Sequence, residues 1–419
     1  MPYEKELFVP KYRELFDHLF VVILLYLYLF QPPLISKYIF ITLEIGIIIF
    51  YSLFINKYFI SKFIASFKSE AILITFILIF CVLRDLVAGE KVYSFRLLTW
   101  SFQSFIFGFY IISLIDNYNR KTSKFICLFN LFYWTVFVAS LLTLLMFLSP
   151  SFDSFYRSFG IEDIERYDSF EQRYRLFGIS ENLAFTYAYV LGFFGGYTLL
   201  ILKKNFTLII PFFLFTLGVM LNARIGFLAI IFYVIYLFFI KRDTKSIVTI
   251  CLFVSVILLF VNQYFEGVVD LLTFNKNWVM EFFYEISDLL FGTNYLAVGS
   301  GTIETLTTSF VIWPDNLFQW ILGRGESLFL KQGMNSDVGF ILQLNYGGII
   351  FVLQLMVLMT FLFYRLYKNL GIEHWFFLFF FFSFFLLNSK GFIFAATPGG
   401  RLLFLLYVYF ILRKKAYII

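Results

Sequence analysis

The sequence predicts an all-α polytopic membrane protein with about twelve transmembrane helices, from its apolar content, the length of its apolar runs and the placement of its cations. Of 419 residues, 61% are hydrophobic and 14% charged, with a mean hydropathy of +0.85. A water-soluble chain of this length could not cover so much apolar surface. Runs close to the roughly 20 residues that cross a bilayer as helix occur near 16–31, 34–54, 70–87, 95–115, 124–148, 180–202, 205–221, 224–240, 246–262, 337–364, 373–389 and 394–412. Pro32-Pro33 closes the first hairpin, and the last span contains Pro398-Gly399-Gly400. Met1 to Asp17 is charged and the run from Leu19 to Phe30 lacks a small-residue cleavage site, so an uncleaved first helix is expected.

Cations set the orientation, because positive charge is retained on the cytoplasmic side. With both termini inside, 19 of the 33 Lys and Arg fall in cytoplasmic segments. The kinds of cation differ between the sides. Nine of the fourteen external ones are Arg, namely Arg84, Arg96, Arg157, Arg166, Arg173, Arg175, Arg224, Arg324 and Arg401, against five of nineteen inside. Lys and Arg serve equally as retention charges, so topology does not explain the difference. Bidentate phosphate recognition by a planar guanidinium does; pairing with external Asp and Glu is the alternative. The excess of aromatic residues, 64 Phe and 28 Tyr, is read as AT-rich coding bias and given no chemistry.

The chain is expected to be a single integral membrane domain over 1–419 with two external segments long enough to be structured, 149–180 and 261–336. In the second, Glu281, Glu285 and Asp288 recur at helical spacing among apolar residues. Pro314 to Leu322 has Pro where a first helical turn tolerates it and Gly323 after its end. Trp313 and Trp320 suit a membrane interface, so this loop is expected to lie on the membrane as a lid. Cys81, Cys127 and Cys251 all fall inside expected spans, which leaves no external disulfide framework.

Nucleotide loops, HExxH, CxxC pairs and nucleophile elbows are missing. His18 and His374 lie on the cytoplasmic side, so an external base must be a carboxylate, a Tyr or the substrate itself. There is no Asp-x-Asp, and the turn Gln31 to Lys37 holds no acid, which disfavours a bound divalent metal. Glu44, within the second span, must be paired, protonated or facing a cavity.

Three stretches carry a resemblance: Leu221-Asn222-Ala223-Arg224-Ile225-Gly226 at the mouth of a span, Leu322-Gly323-Arg324-Gly325-Glu326, and Asn335-Ser336-Asp337-Val338-Gly339-Phe340 followed by Gly347-Gly348. With the span count and loop placement, the whole chain resembles the O-antigen polymerase (Wzy-type) family, related to the O-antigen ligases. The resemblance implies the polymerase/ligase branch of the GT-C glycosyltransferase fold in a bacterial inner membrane. It also implies undecaprenyl-pyrophosphate-linked oligosaccharide as substrate, no cofactor, and a chain-length regulator and flippase as pathway partners. Ligases carry an external His near the matching span; this sequence has none, which favours polymerase.

On that resemblance, Arg224, Asp337 and Glu326 are the candidate catalytic residues and Arg401, Arg173, Arg175, Arg324 and Arg84 the candidate substrate-binding ones. Plainer roles stand beside these. Arg224 could snorkel to the interface, Arg84 could pair with Asp85, Arg173 and Arg175 with Glu162, Glu165 or Glu171, and Asp337 could serve only a helix N-terminus. Arg401 follows Pro398-Gly399-Gly400, read as a broken helix bordering a cavity. A flippase is the competing class, but it would need cations through a central cavity in two similar halves.

Overall fold

The computed structural model describes residues 19–32, 36–88, 93–122, 128–160, 176–180, 184–202, 206–223, 225–241, 311–326, 336, 338–370, 375–389, 391, 393–394 and 397–416. The expected span near 246–262 and the surface helix expected after Trp278 lie outside them. Among the described residues every regular element is helical. In chain order these are α1 (Leu19–Phe30), α2 (Lys37–Phe50, continued by a wider π turn Tyr51–Ile55), α3 (Phe59–Ala88) and α4 (Tyr93–Ser101). A second π segment, Phe102–Phe107, joins α4 to α5 (Gly108–Thr122), followed by α6 (Leu128–Leu148), α7 (Pro150–Gly160), α8 (Ala184–Leu202), α9 (Ile209–Met220) and α10 (Gly226–Ile235). The last are α11 (Leu317–Leu322), α12 (Gly339–Leu370), α13 (Trp375–Leu386) and α14 (Pro398–Ala416).

Among the described residues, five segments are long and apolar enough to cross a membrane: Tyr38–Ile55, Phe59–Ala88, Tyr93–Asn117, Leu128–Leu148 and Gly339–Leu370. The protein is therefore an α-helical membrane protein. Shorter apolar helices, Val21–Phe30, Ile209–Met220, Gly226–Phe239, Phe377–Ser389 and Pro398–Leu412, fall within or close to other expected spans.

Two helix starts differ from expectation. α3 begins at Phe59 rather than near 70, because Phe59, Phe63 and Phe67 recur every four residues and are all buried. Lys62 and Lys68 hide that stripe from a hydropathy window. α14 begins at Pro398, so Pro398-Gly399-Gly400 opens a helix instead of breaking one. Pro lacks only an N–H that a first helical position would leave unbonded, and the Thr397 hydroxyl accepts the Gly400 N–H at 3.1 Å.

The chain forms two compact units, one from 1–37 and 115–286, the other from 38–114 and 287–419. In the first, α8 is the buried centre, with Tyr187 to Leu191, Phe193 and Phe194 fully enclosed. α8 crosses α10 where Gly192 meets Gly226, and a Cβ at either glycine would overlap the other helix's backbone. Small residues permit such approach where no hydrophobic force separates helix from lipid. In the second unit, Trp100 is enclosed by Phe105, Phe394 and Phe404, with ring centroids 4.8–5.8 Å away. Glu44 is 5% exposed there and accepts a 2.7 Å hydrogen bond from Gln103 Nε2, so of the three expected possibilities the structure shows a partner.

Candidate functional site

The second unit's site is built around a break in α12. Gly348, at φ 64° and ψ −166°, interrupts the helix. A break strips carbonyls of their intrahelical donors, and in a membrane each unsatisfied group costs several kcal/mol. The turn after α11 supplies replacements: the Arg324 N–H donates to the Asn345 carbonyl at 2.5 Å and the Gly325 N–H to that of Tyr346 at 3.0 Å. Gly323 and Gly325 adopt φ of +76° and +81°, the region that favours glycine. A Cβ on Gly323 would overlap the Tyr346 carbonyl, and one on Gly348 the Ile321 carbonyl. The two glycine motifs, distant in sequence, are thus halves of one structure.

The C-terminal turns of α3 close on this break, and Arg84 and Asp85 part company there. Adjacent residues on a helix do not face each other. Asp85 accepts the Tyr346 hydroxyl at 2.5 Å and the Ser94 N–H at 3.0 Å, tying α3 to α12 and α4. Arg84 Nη2 donates instead to the Gly323 carbonyl at 3.1 Å. Arg84 is 9% exposed, its Nε has no hydrogen-bond acceptor, and no carboxylate among the described residues pairs with it. Among the described residues this enclosed cation meets only a neutral carbonyl, and an anion would relieve the cost of burying it. Gly325 leaves the room: its Cβ would stand 3.0 Å from Arg84 Nη2.

Arg324 is engaged within the protein. Its Nη2 lies 3.0 Å from Asp315 and 3.1 Å from the Trp313 carbonyl. Glu326, half-buried, follows the same turn. Arg401 is fully enclosed in the first turn of α14, its N–H bonded to the Thr397 carbonyl at 2.8 Å. A further polar group surrounds the start of α12, where Gln343 and Asn388 exchange hydrogen bonds of 2.8 and 3.0 Å and the Val338 N–H donates to Ser336 Oγ at 3.2 Å.

Arg224, Asp337, Arg173 and Arg175 lie outside the described residues. Residues flanking two of them are joined in the first unit. Asn222 Nδ2 donates to the Leu176 carbonyl at 2.6 Å, and the Leu176 N–H to the Leu221 carbonyl at 2.9 Å. The chain just after Arg173 and Arg175 is therefore fastened, at Leu176, to the residues just before Arg224. Tyr26 and Tyr156 hold the same stretch through the Ile179 and Ser180 carbonyls, at 3.0 and 3.4 Å.

The sequence offers Asp85 only as a partner for Arg84 and does not mark Tyr346, yet these two organise the second-unit site. The paired glycines of 323–325 and 347–348 were the signal for them. Sequence reasoning also missed Glu70, which is 1% exposed and bonded to Arg365 and, at 2.6 Å, to the Tyr407 hydroxyl. Among the described residues no three His, Cys, Asp or Glu converge as a metal site.

Fold and site together define the class, an α-helical membrane protein with guanidinium groups enclosed near helix ends. No family model, curated protein or solved structure matches this chain.

Proposed function

We propose that this protein is a polysaccharide polymerase that joins undecaprenyl-pyrophosphate-linked oligosaccharide repeat units on the external face of a bacterial inner membrane, without a metal. In this reading the chain has twelve spans in a GT-C-like arrangement, with both termini in the cytoplasm. The anomeric carbon of the growing chain leaves the pyrophosphate oxygen and bonds to a hydroxyl at the non-reducing end of a new unit. The lipid pyrophosphate departs with the added negative charge, and the hydroxyl proton goes to a carboxylate or to solvent.

The observation that supports this most is Arg84: an enclosed guanidinium on a neutral carbonyl, beside a helix break, with no carboxylate partner among the described residues. Fixed cations aimed at a leaving group stabilise charge where it develops, with no reorganisation at the moment of reaction. The resemblance of the motifs around Arg224 and Asp337 adds the substrate class. Asp337, Glu326 and Arg401 are proposed to act with Arg84, Arg224 to serve in catalysis and Arg173 and Arg175 in substrate binding, and a chain-length regulator and flippase to act in the same pathway.

The test is the surface polysaccharide of a strain lacking this gene. A polymerase predicts loss of the long ladder with single repeat units still attached. Loss of every attached unit would overturn the reading in favour of a ligase or flippase.

A further inference from the structure

We infer that residues 311–326 form a lipid anchor, seated at the boundary between headgroups and acyl chains. Trp313, Leu317, Phe318 and Ile321 are 55%, 76%, 64% and 43% exposed. Leu317, Phe318 and Ile321 fall at helical spacing on one side of α11. The polar residues Asp315, Asn316, Gln319 and Arg324 are occupied with one another or with backbone. Asn316 Oδ1 caps the Gln319 N–H at 3.0 Å, Gln319 Oε1 takes the Asp315 N–H at 2.9 Å, and Arg324 pairs with Asp315. The Trp313 and Trp320 rings stack with centroids 5.5 Å apart. Asn345 Nδ2 fixes the segment's start through the Ile312 carbonyl at 2.7 Å. The apolar face is therefore held in place and left uncovered among the described residues.

Its occupant follows from where it stands. Gly325 abuts Arg84 and Ala88, the end of the spanning helix α3. That helix's last turn exposes Leu86 and Val87, at 72% and 78%. The apolar face of α11 thus lies at the end of a lipid-facing helix, at the depth where indole rings, with an apolar body and a polar N–H, prefer to sit. A stacked indole pair could also receive a sugar ring, but the aliphatic and phenyl groups beside it offer a sugar's hydroxyls nothing. Because the Gly323–Gly325 turn directly follows α11, an inserted anchor also sets the height of that turn and of Arg84. The inference does not depend on the proposed activity.

Nitroxide probes on the full chain in nanodiscs of phosphatidylethanolamine and phosphatidylglycerol test it. Phe318→Cys and, separately, Leu317→Cys are labelled in a background with the native cysteines changed to Ala. Both positions are exposed, so neither change disturbs packing. The expected result is stronger collision with dissolved oxygen than with a water-soluble nickel chelate at both positions. Stronger collision with the chelate would overturn the inference, as would protection from both reagents, which means a protein cover. Chelate access that disappears on adding soluble oligosaccharide would reassign the face to sugar.

Discussion

Arg84 and Arg324 lie on either side of one turn and differ in what holds their charge. Arg324 has Asp315, itself 68% exposed, so that pair resembles a surface ion pair worth about 0–1 kcal/mol. Arg84 has the Gly323 carbonyl and no carboxylate among the described residues. If Arg84 grips a pyrophosphate with a fork of donors, Lys keeps the charge and loses the fork. Arg84→Lys and Arg84→Ala should then both lower polymer formation per folded molecule by on the order of a hundred- to a thousand-fold. Arg324→Lys should leave most of it. Ladder formation normalised to folded protein in the membrane measures this, and normal polymer from Arg84→Lys would remove Arg84 from the site. The sequence marked both residues equally, because adjacency to Asp85 said nothing about which way each side chain turns.

At the scale of elements, α3 and α12 are clamped at two levels. Tyr346 and Asp85 form one clamp and Arg365 with Glu70 the other, where Arg365 Nη2 also donates to the Ser66 carbonyl at 2.6 Å beside the kink at Phe67. Arg365 counted in the sequence only as a cytoplasmic retention charge. Removing one member of a buried pair leaves an uncompensated charge and costs about 3–5 kcal/mol, whereas replacing both with apolar groups is often neutral. Arg365→Leu should therefore lower the thermal unfolding midpoint in detergent sharply, and adding Glu70→Leu should restore much of it. Equal losses in the single and double variants would mean that the pair contributes packing alone. The break in α12 belongs to this scale too. Gly347-Gly348 is visible in the sequence, but the donors that satisfy its carbonyls come from a turn more than twenty residues earlier, as Gly323 to Gly325.

For the whole molecule, the sidedness of the long segment 261–336 decides where the chemistry can occur. Cysteines placed at Asn294 and Ser300 should react with an impermeant thiol reagent in intact spheroplasts. Reaction only after lysis would invert the topology and put Arg84 and Arg224 on the wrong face.

The sequence by itself determined the solvent and the elements. Partition into lipid is a sum of side-chain transfer terms over about 20 consecutive residues, a local quantity that composition reveals. It fell short where local signals conflict, as in the charged but Phe-striped start of α3 and at Pro398, where a helix start was read as a break. The tertiary structure alone decided the partners: Asp85 with Tyr346, Glu70 with Arg365 and Tyr407, and Asn222 with Leu176. These partners sit 46 to 337 positions apart in the chain. A buried polar group must be satisfied, but the sequence does not say by what. That depends on which helix faces press together, and many residues could have met the same need.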